Sequence, residues 1–258
     1  MSKKILITGA CGGIGSSLTK KLAAEGHHII AVDLKAFKNS SHLKISSYIF
    51  DLAKTAEITG LCETILKEHG PIDILINNAG IAHIKGFLEE GLERFNLAMK
   101  INFEAAVVLS YFWLPHLEKN GGMLVNIASI AGLVAPACMS SYTSSKFALV
   151  GFSRCLQGEL AARSSQASVL LVSPGFVETP IMKIGQKDGL PDILKYITTS
   201  PDSCALEIIA AIHKKKKFIT PGISGKAMAM INTVAPGLFN FINITMVKKL
   251  LLSDGDKK

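Results

Sequence analysis

The stretch that most restricts this chain is "TGACGGIG", Thr8 to Gly15, set between a short apolar run, Ile5–Thr8, and a helix-patterned segment, Ser16–Glu25. Three of its glycines answer separate geometric needs. Gly9 allows a tight turn off a strand, Gly13 lets backbone come close to a diphosphate, and Gly15 lets the following helix lie close on a sheet. A helix that opens there presents unpaired N–H groups and the positive end of its dipole, and both attract phosphate. Glycines can also serve a turn and nothing more. The phosphate-binding use requires a strand immediately before and a helix immediately after, and the pattern supplies both.

The rest of the chain repeats that alternation. Strand-like runs follow at His28–Val32, Ser47–Phe50, Ile74–Asn77, Met123–Ile127, Ser168–Val172 and Phe218–Thr220. Helix-like segments separate them at Ala53–Glu68, Leu92–Leu117, Tyr142–Ala162 and Asp202–His213. Continuous apolar strands alternating with helices indicate βα units and a parallel sheet buried on both faces. Right-handed crossovers then give a doubly wound, three-layer αβα sandwich of the Rossmann type. A length of 258 residues, 48% hydrophobic and 19% charged, fits one such domain with a full core. We expect residues 1–225 to form the dinucleotide-binding and catalytic domain, and 226–258 an apolar extension packed on it or on a membrane surface.

Composition narrows the function classes. Five scattered cysteines, Cys11, Cys62, Cys138, Cys155 and Cys204, suit reduced thiols and a cytoplasmic setting. None of them has metal-ligand spacing, so no metal is expected. The opening "MSKKILITGA" is too short in apolar residues for a secretory signal. The net charge of +8 is moderate, and the densest basic run, Lys214 to Lys217, is not interleaved with aromatics as a nucleic-acid surface would be. It reads as a solvated helix end or a membrane-surface contact.

The second strand ends at Asp33, twenty residues after Gly13. A carboxylate there can accept hydrogen bonds from both hydroxyls of an adenosine ribose and repels a 2′-phosphate. That favours NAD, while Lys35 and Lys38 nearby leave NADP open. Further along come "DL" at Asp51–Leu52, "NNAG" at Asn77–Gly80, Asn102, Ser129, Tyr142, Lys146 and "SPGFVETP" at Ser173–Pro180. This ordered set, with its T-G-x-x-x-G-x-G loop, resembles the short-chain dehydrogenase/reductase family over roughly residues 4 to 220. The resemblance implies a cofactor held by Gly9, Gly12, Gly13, Ile14, Gly15, Asp33, Asp51, Leu52, Asn78, Ala79 and Gly80. It adds Pro174, Gly175, Val177 and Thr179 around the nicotinamide, with Lys146 and Tyr142 at the nicotinamide ribose. It also implies that Asn102 anchors a water in a proton relay.

Chemistry supports the same trio independently. Interconverting an alcohol and a ketone needs a group that takes or returns the hydroxyl proton while hydride leaves or joins the carbon. A phenol with its ordinary pKa near 10 is a poor base at neutral pH, and an adjacent cation favours the phenolate. Tyr142 and Lys146 are four apart, hence on one helix face. Ser129, at the end of the fifth strand, can hold the same substrate oxygen. The alternative is a dinucleotide-sensing binding protein that turns nothing over; such proteins usually lose Tyr or Lys of the trio.

Two segments bear on the substrate. Ile181–Ser200, irregular with Gly185, Gly189 and Pro191, reads as a lid. Ala227 to Val247 carries no charge, yet three asparagines and a Pro-Gly break argue against a membrane-spanning helix. Asn232, Asn240 and Asn243 gather on one side of a helical wheel with apolar residues elsewhere, flanked by Lys226 and by Lys248–Lys249. Helices lying on a membrane, an oligomer contact and a cover over the site all fit that pattern. We therefore expect a hydrophobic carbonyl or alcohol substrate, a homo-oligomer, peripheral membrane contact through this segment, and no nucleic acid.

Overall fold

The computed structural model describes residues 2–38, 42–179 and 198–253, apart from the side chains of Ile242 and residues 246–253. Strands β1 (Lys4–Thr8), β2 (His28–Asp33), β3 (Ile45–Ile49), β4 (Ile74–Asn77), β5 (Met123–Ile127), β6 (Ser168–Val172) and β7 (Phe218–Ile219) form one parallel sheet. Their order is β3-β2-β1-β4-β5-β6-β7, which reverses direction between β1 and β4. The expected doubly wound sheet is therefore what the chain forms. Alternate residues of β1 serve opposite faces. Ile5 and Ile7 join Leu18 and Leu22 of helix α1 (Gly13–Ala24) in one core layer. Leu6 faces the other layer, built from α2 (Ile58–His69), α4 (Ala105–Asn120) and α5 (Ser140–Ala162), where Trp113 is fully buried.

Helix α6 (Pro201–His213) closes the first layer beside α1, and Ser17 of α1 hydrogen-bonds to Asp202 across that contact. Two differences from the sequence pattern matter. The helix expected at Leu92–Leu117 does run continuously from α3 (Phe87–Met99) into α4, but it widens into a π-type turn at Lys100–Glu104, and α3 is broken near its start at Gly91, where φ is +74°. An inserted residue of this kind costs helical hydrogen bonds, and side-chain bonds made by Asn102 compensate it, as described below. The C-terminal segment forms α7 (Ile223–Val234) and α8 (Pro236–Ser253), and its start straddles the boundary expected after residue 225. The two axes turn by 116° at the Ala235 break.

Candidate active site

A cleft of about 400 Å³ opens at the C-terminal ends of the strands, over the point where the strand order reverses. Open α/β sheets bind ligands at that point because the loops on either side diverge there. The glycine loop forms one wall. Gly9 has φ +62°, a conformation side-chain-bearing residues avoid. A Cβ on Gly15 would stand 2.1 Å from the Gly9 carbonyl oxygen, so α1 begins in direct contact with the turn that precedes it. Gly12 leaves α1 without a side-chain cap, and its first N–H groups stay available to an anion.

The strand ends on either side are locked together. The Thr8 hydroxyl accepts the N–H groups of Asn78 (3.0 Å) and Ala79 (3.1 Å). The Asn78 amide donates to the carbonyls of Thr8 (2.9 Å) and Gly9 (3.0 Å). Gly13 shows a second reason to be glycine: a Cβ would meet the Thr179 methyl at 2.6 Å, so Thr179 lies across the loop. Ile14, Pro174, Gly175 and Val177 line the same side of the cleft. Farther along, one Asp33 carboxylate oxygen accepts the Cys11 N–H at 2.9 Å. Asp51 and Leu52 stand opposite, and Asp51 turns its own backbone by accepting the Ala53 N–H at 2.9 Å. Leu34, Lys35 and Phe50 complete this end of the cleft.

Ser129, Tyr142 and Lys146 meet at the other end. Ser129 follows β5 and caps a short helical turn by accepting the Ala131 N–H at 3.1 Å. Its hydroxyl also hydrogen-bonds to the Tyr142 phenol, which favours the phenolate, whereas burial pushes the phenol pKa upward more strongly. Lys146 is 3% exposed, donates to the Ile127 carbonyl at 2.9 Å and lies 5.7 Å from the centre of the Tyr142 ring. Burial lowers its pKa from 10.5 to about 8. Two glycines make this approach possible. A Cβ on Gly132 would stand 2.7 Å from the Lys146 backbone oxygen, and one on Gly80 would stand 3.4 Å from the Lys146 Nζ. A hydroxyl donor, a phenol and a cation thus face one cleft whose other wall is a free helix N-terminus. That arrangement can hold a dinucleotide and move a proton beside it.

The short chain dehydrogenase family model matches residues 3–188. The chain belongs to the short-chain dehydrogenase family. It is an oxidoreductase dependent on a nicotinamide dinucleotide. A fatty acyl-CoA reductase of Acinetobacter baylyi is 32% identical over 253 residues, covering 93% of this chain and 82% of that protein. A D-beta-hydroxybutyrate dehydrogenase of Cupriavidus necator is 29% identical over 247 residues, covering 90% and 92%. Among solved structures, 4-hydroxyisoleucine dehydrogenase complexed with NADH superposes with a TM-score of 0.74 at 25% identity, over 86% of this chain and 98% of that one.

Within this short-chain dehydrogenase, Asn102 sits behind the cleft wall rather than in it. It is 1% exposed; its side-chain oxygen accepts the Ile81 N–H (2.8 Å) and its amide donates to the Ile81 carbonyl (2.9 Å) and the Ser145 hydroxyl (2.9 Å). The wide turn that carries it is therefore stapled to the segment after "NNAG" and to the helix of Tyr142. Beneath the cleft, Asn77 donates to Asn126 (2.9 Å), which donates to Ser153 (2.9 Å), tying β4 and β5 to α5.

Sequence reasoning missed Glu90. Its carboxylate is 4% exposed, accepts the hydroxyls of Ser141 and Ser140 (3.2 Å for Ser140), and lies 3.6 Å from His83. It fixes the first turn of α5, one residue before Tyr142. A lone Glu on an amphipathic helix carries no signal of that burial. The expected lid falls largely outside the described residues, at 181–197. Its described end returns to the strand-end segment before it, since Thr199 bridges Val177 and donates its N–H to the Phe176 carbonyl at 2.8 Å. Among the described residues, Glu25, His27 and His213 bring potential ligand atoms within 4.8 Å of one another at the opposite end of the sheet. There His27 Nδ1 accepts the Lys3 N–H at 3.2 Å, so the ring is a neutral imidazole with its proton on Nε2, 3.7 Å from Glu25.

Proposed function

We propose that the enzyme interconverts a secondary alcohol and a ketone on a hydrophobic substrate, with Tyr142 as the acid/base. The observation that carries this reading is the juxtaposition of Ser129, Tyr142 and the buried Lys146 in one cleft with the uncapped start of α1. The bound nicotinamide supplies or accepts the hydride. Tyr142 takes the substrate proton during oxidation and returns it during reduction. Ser129 donates a hydrogen bond to the substrate oxygen as charge builds on it. Lys146, charged below about pH 8, lowers the cost of the phenolate and offers an ammonium to the nicotinamide ribose hydroxyls. Asn102 acts through position, by holding Ile81 and Ser145 where the proton path leaves the cleft.

The cofactor is held by the first N–H groups of α1 at its diphosphate and by Asp33 at its adenosine ribose. Asp33 favours NAD over NADP, because its carboxylate would meet a 2′-phosphate. Asp51 and Leu52 border the adenine, and Thr179, with the backbone at Val177, the carboxamide. A fatty acyl-CoA reductase among the relatives supports a lipid-like substrate. Free thiols at all five cysteines support a reducing, cytoplasmic compartment. Assembly into a homo-oligomer and peripheral contact with a membrane belong to the same reading.

Replacing Tyr142 with Phe removes the proton carrier and leaves the cleft's shape intact. Turnover should fall by at least about 10³-fold, while NADH binding followed by fluorescence stays within a few-fold. Ketone reduction that survives in Y142F at near-normal rate would overturn the assignment.

A further inference from the structure

We propose that the outward face of the α7–α8 pair docks on an anionic lipid bilayer, and that its inward asparagines tie that contact to the catalytic loop. The proposal deepens the hydrophobic-substrate reading and rests on it for the origin of the substrate.

Two of the three asparagines expected on one side, Asn232 and Asn243, turn toward the domain, while Asn240 is exposed. In a helix lying on a soluble domain, asparagines belong in water and apolar residues against the protein. Here Asn243 accepts the Ala137 N–H at 2.9 Å and donates to the Ala135 carbonyl at 3.1 Å, while Asn232 donates to the Leu133 carbonyl at 3.5 Å. Those partners lie in the loop that joins Ser129 to Tyr142. The face left outside carries Met230 (64% exposed), Val234 (78%), Leu238 (53%) and Phe241 (68%). Such a row of large apolar side chains in water marks a contact surface.

Charge decides what covers it. From Ile223 to Lys258 the sequence carries five lysines against two aspartates, Asp254 and Asp256, both beyond Ser253. Lys226 is exposed on the same stripe as Ile223 and Met230. A second copy of this face would bring two Lys226 side chains and two segments of net positive charge together. Anionic headgroups complement them, at about 1 kcal/mol for each lysine near the surface. The 116° turn at Ala235 prevents α7 and α8 from acting as one spanning rod, so the pair lies in the interface.

The position of the pair links docking to the site. Gly225 of α7 packs on Gly175, where a Cβ would meet Gly225 N at 2.5 Å, and Ser224 accepts the Phe176 N–H at 3.4 Å. Both contacts fall on the segment after β6 that lines the cleft. The cap thus touches Gly175 in the cleft lining and, at Leu133–Ala137, the loop that joins Ser129 to Tyr142. A bilayer on its outer face lies next to the mouth through which a lipid-like ketone would enter.

The test uses the full chain and vesicles of phosphatidylcholine containing about one-third phosphatidylserine. The wild type should sediment with these vesicles, weakly with phosphatidylcholine alone, and less as salt rises. L238S/F241S should lose at least about tenfold in vesicle affinity, because two large apolar contacts are removed, and should reduce a small water-soluble ketone like the wild type. N243A should still sediment, but should lose the several-fold rise in turnover of a long-chain ketone that vesicles give the wild type. The proposal is overturned if the wild type stays in the supernatant or if L238S/F241S sediments unchanged. It is overturned equally if that variant only converts an oligomer to monomers, which would make this face a contact between copies. Failure to turn over any ketone, with vesicle binding intact, would instead sink the alcohol–ketone reading.

Discussion

The cleft and the α7–α8 cap arrange polar and apolar atoms in opposite ways. In the cleft, Thr8, Asn78, Asn102 and Lys146 are turned inward and bonded to backbone, and the surrounding apolar residues fill the sheet. In the cap, Asn232 and Asn243 are also turned inward, but Asn240 and the large apolar residues Met230, Val234, Leu238 and Phe241 face out. The difference teaches where each region finds its partner. A cleft built from satisfied polar groups is stable as it stands and waits for a small molecule. A cap with its apolar side in water is incomplete without an extended surface.

The largest expected effect breaks the cleft at its tightest point. Gly15→Ala puts a methyl 2.1 Å from a backbone oxygen that cannot move without dislodging α1. We expect a loss of about 3 kcal/mol in denaturant unfolding and no measurable NADH binding by titration. A stable G15A that binds NADH normally would mean that the glycine loop is looser than the cap.

Lys146→Met should separate catalysis from stability. Its folded pKa of about 8 lies below the unfolded 10.5, so the folded state resists protonation. Wild-type stability should therefore rise with pH between about 8 and 10.5, and the cost should be fully present below about 8, on the order of 3 kcal/mol for a shift of that size. K146M should be more stable than the wild type at pH 7, lose that rise, and turn over at least about 10²-fold more slowly. Urea midpoints at neutral and alkaline pH, with initial rates, measure both. Equal pH dependence in the two proteins would show that Lys146 is solvated.

Glu90→Gln is the gentlest probe. The amide keeps the shape but removes the charge that holds Ser140 and Ser141, so a cost of about 1–2 kcal/mol is expected, with kcat down several-fold. The KM for cofactor should not change, because Glu90 acts on the Tyr142 end of α5 alone. A shift in cofactor KM without a change in kcat would contradict that placement.

Much of this was readable from local pattern. The apolar runs gave six of seven strands to within a residue or so at each end, because a strand buried on both faces must be apolar throughout. Motif spacing brought Gly9, Gly12, Gly13, Asp33, Ser129, Tyr142 and Lys146 to one cleft, with Gly15 packed behind the loop. Other features left no local trace. Nothing in "FLEEGLERF" distinguishes the buried Glu90 from the solvated Glu89, since their difference is made by serines fifty residues away. The π-type widening between α3 and α4 is likewise held by bonds from Asn102 to Ile81 and Ser145, which no local pattern shows.

The tail shows the division most sharply. Composition alone shows that residues 227–247 are uncharged and broken at Pro236-Gly237, and periodicity groups the asparagines on a helical wheel. Periodicity cannot say which side faces out, because a helical wheel has no reference direction until something packs against it. The tertiary structure supplied that reference: Asn232 and Asn243 bond to backbone of the Leu133–Ala137 loop, which fixes the side of the pair that meets the domain. Asn240, Met230, Val234, Leu238 and Phe241 are left on the outside.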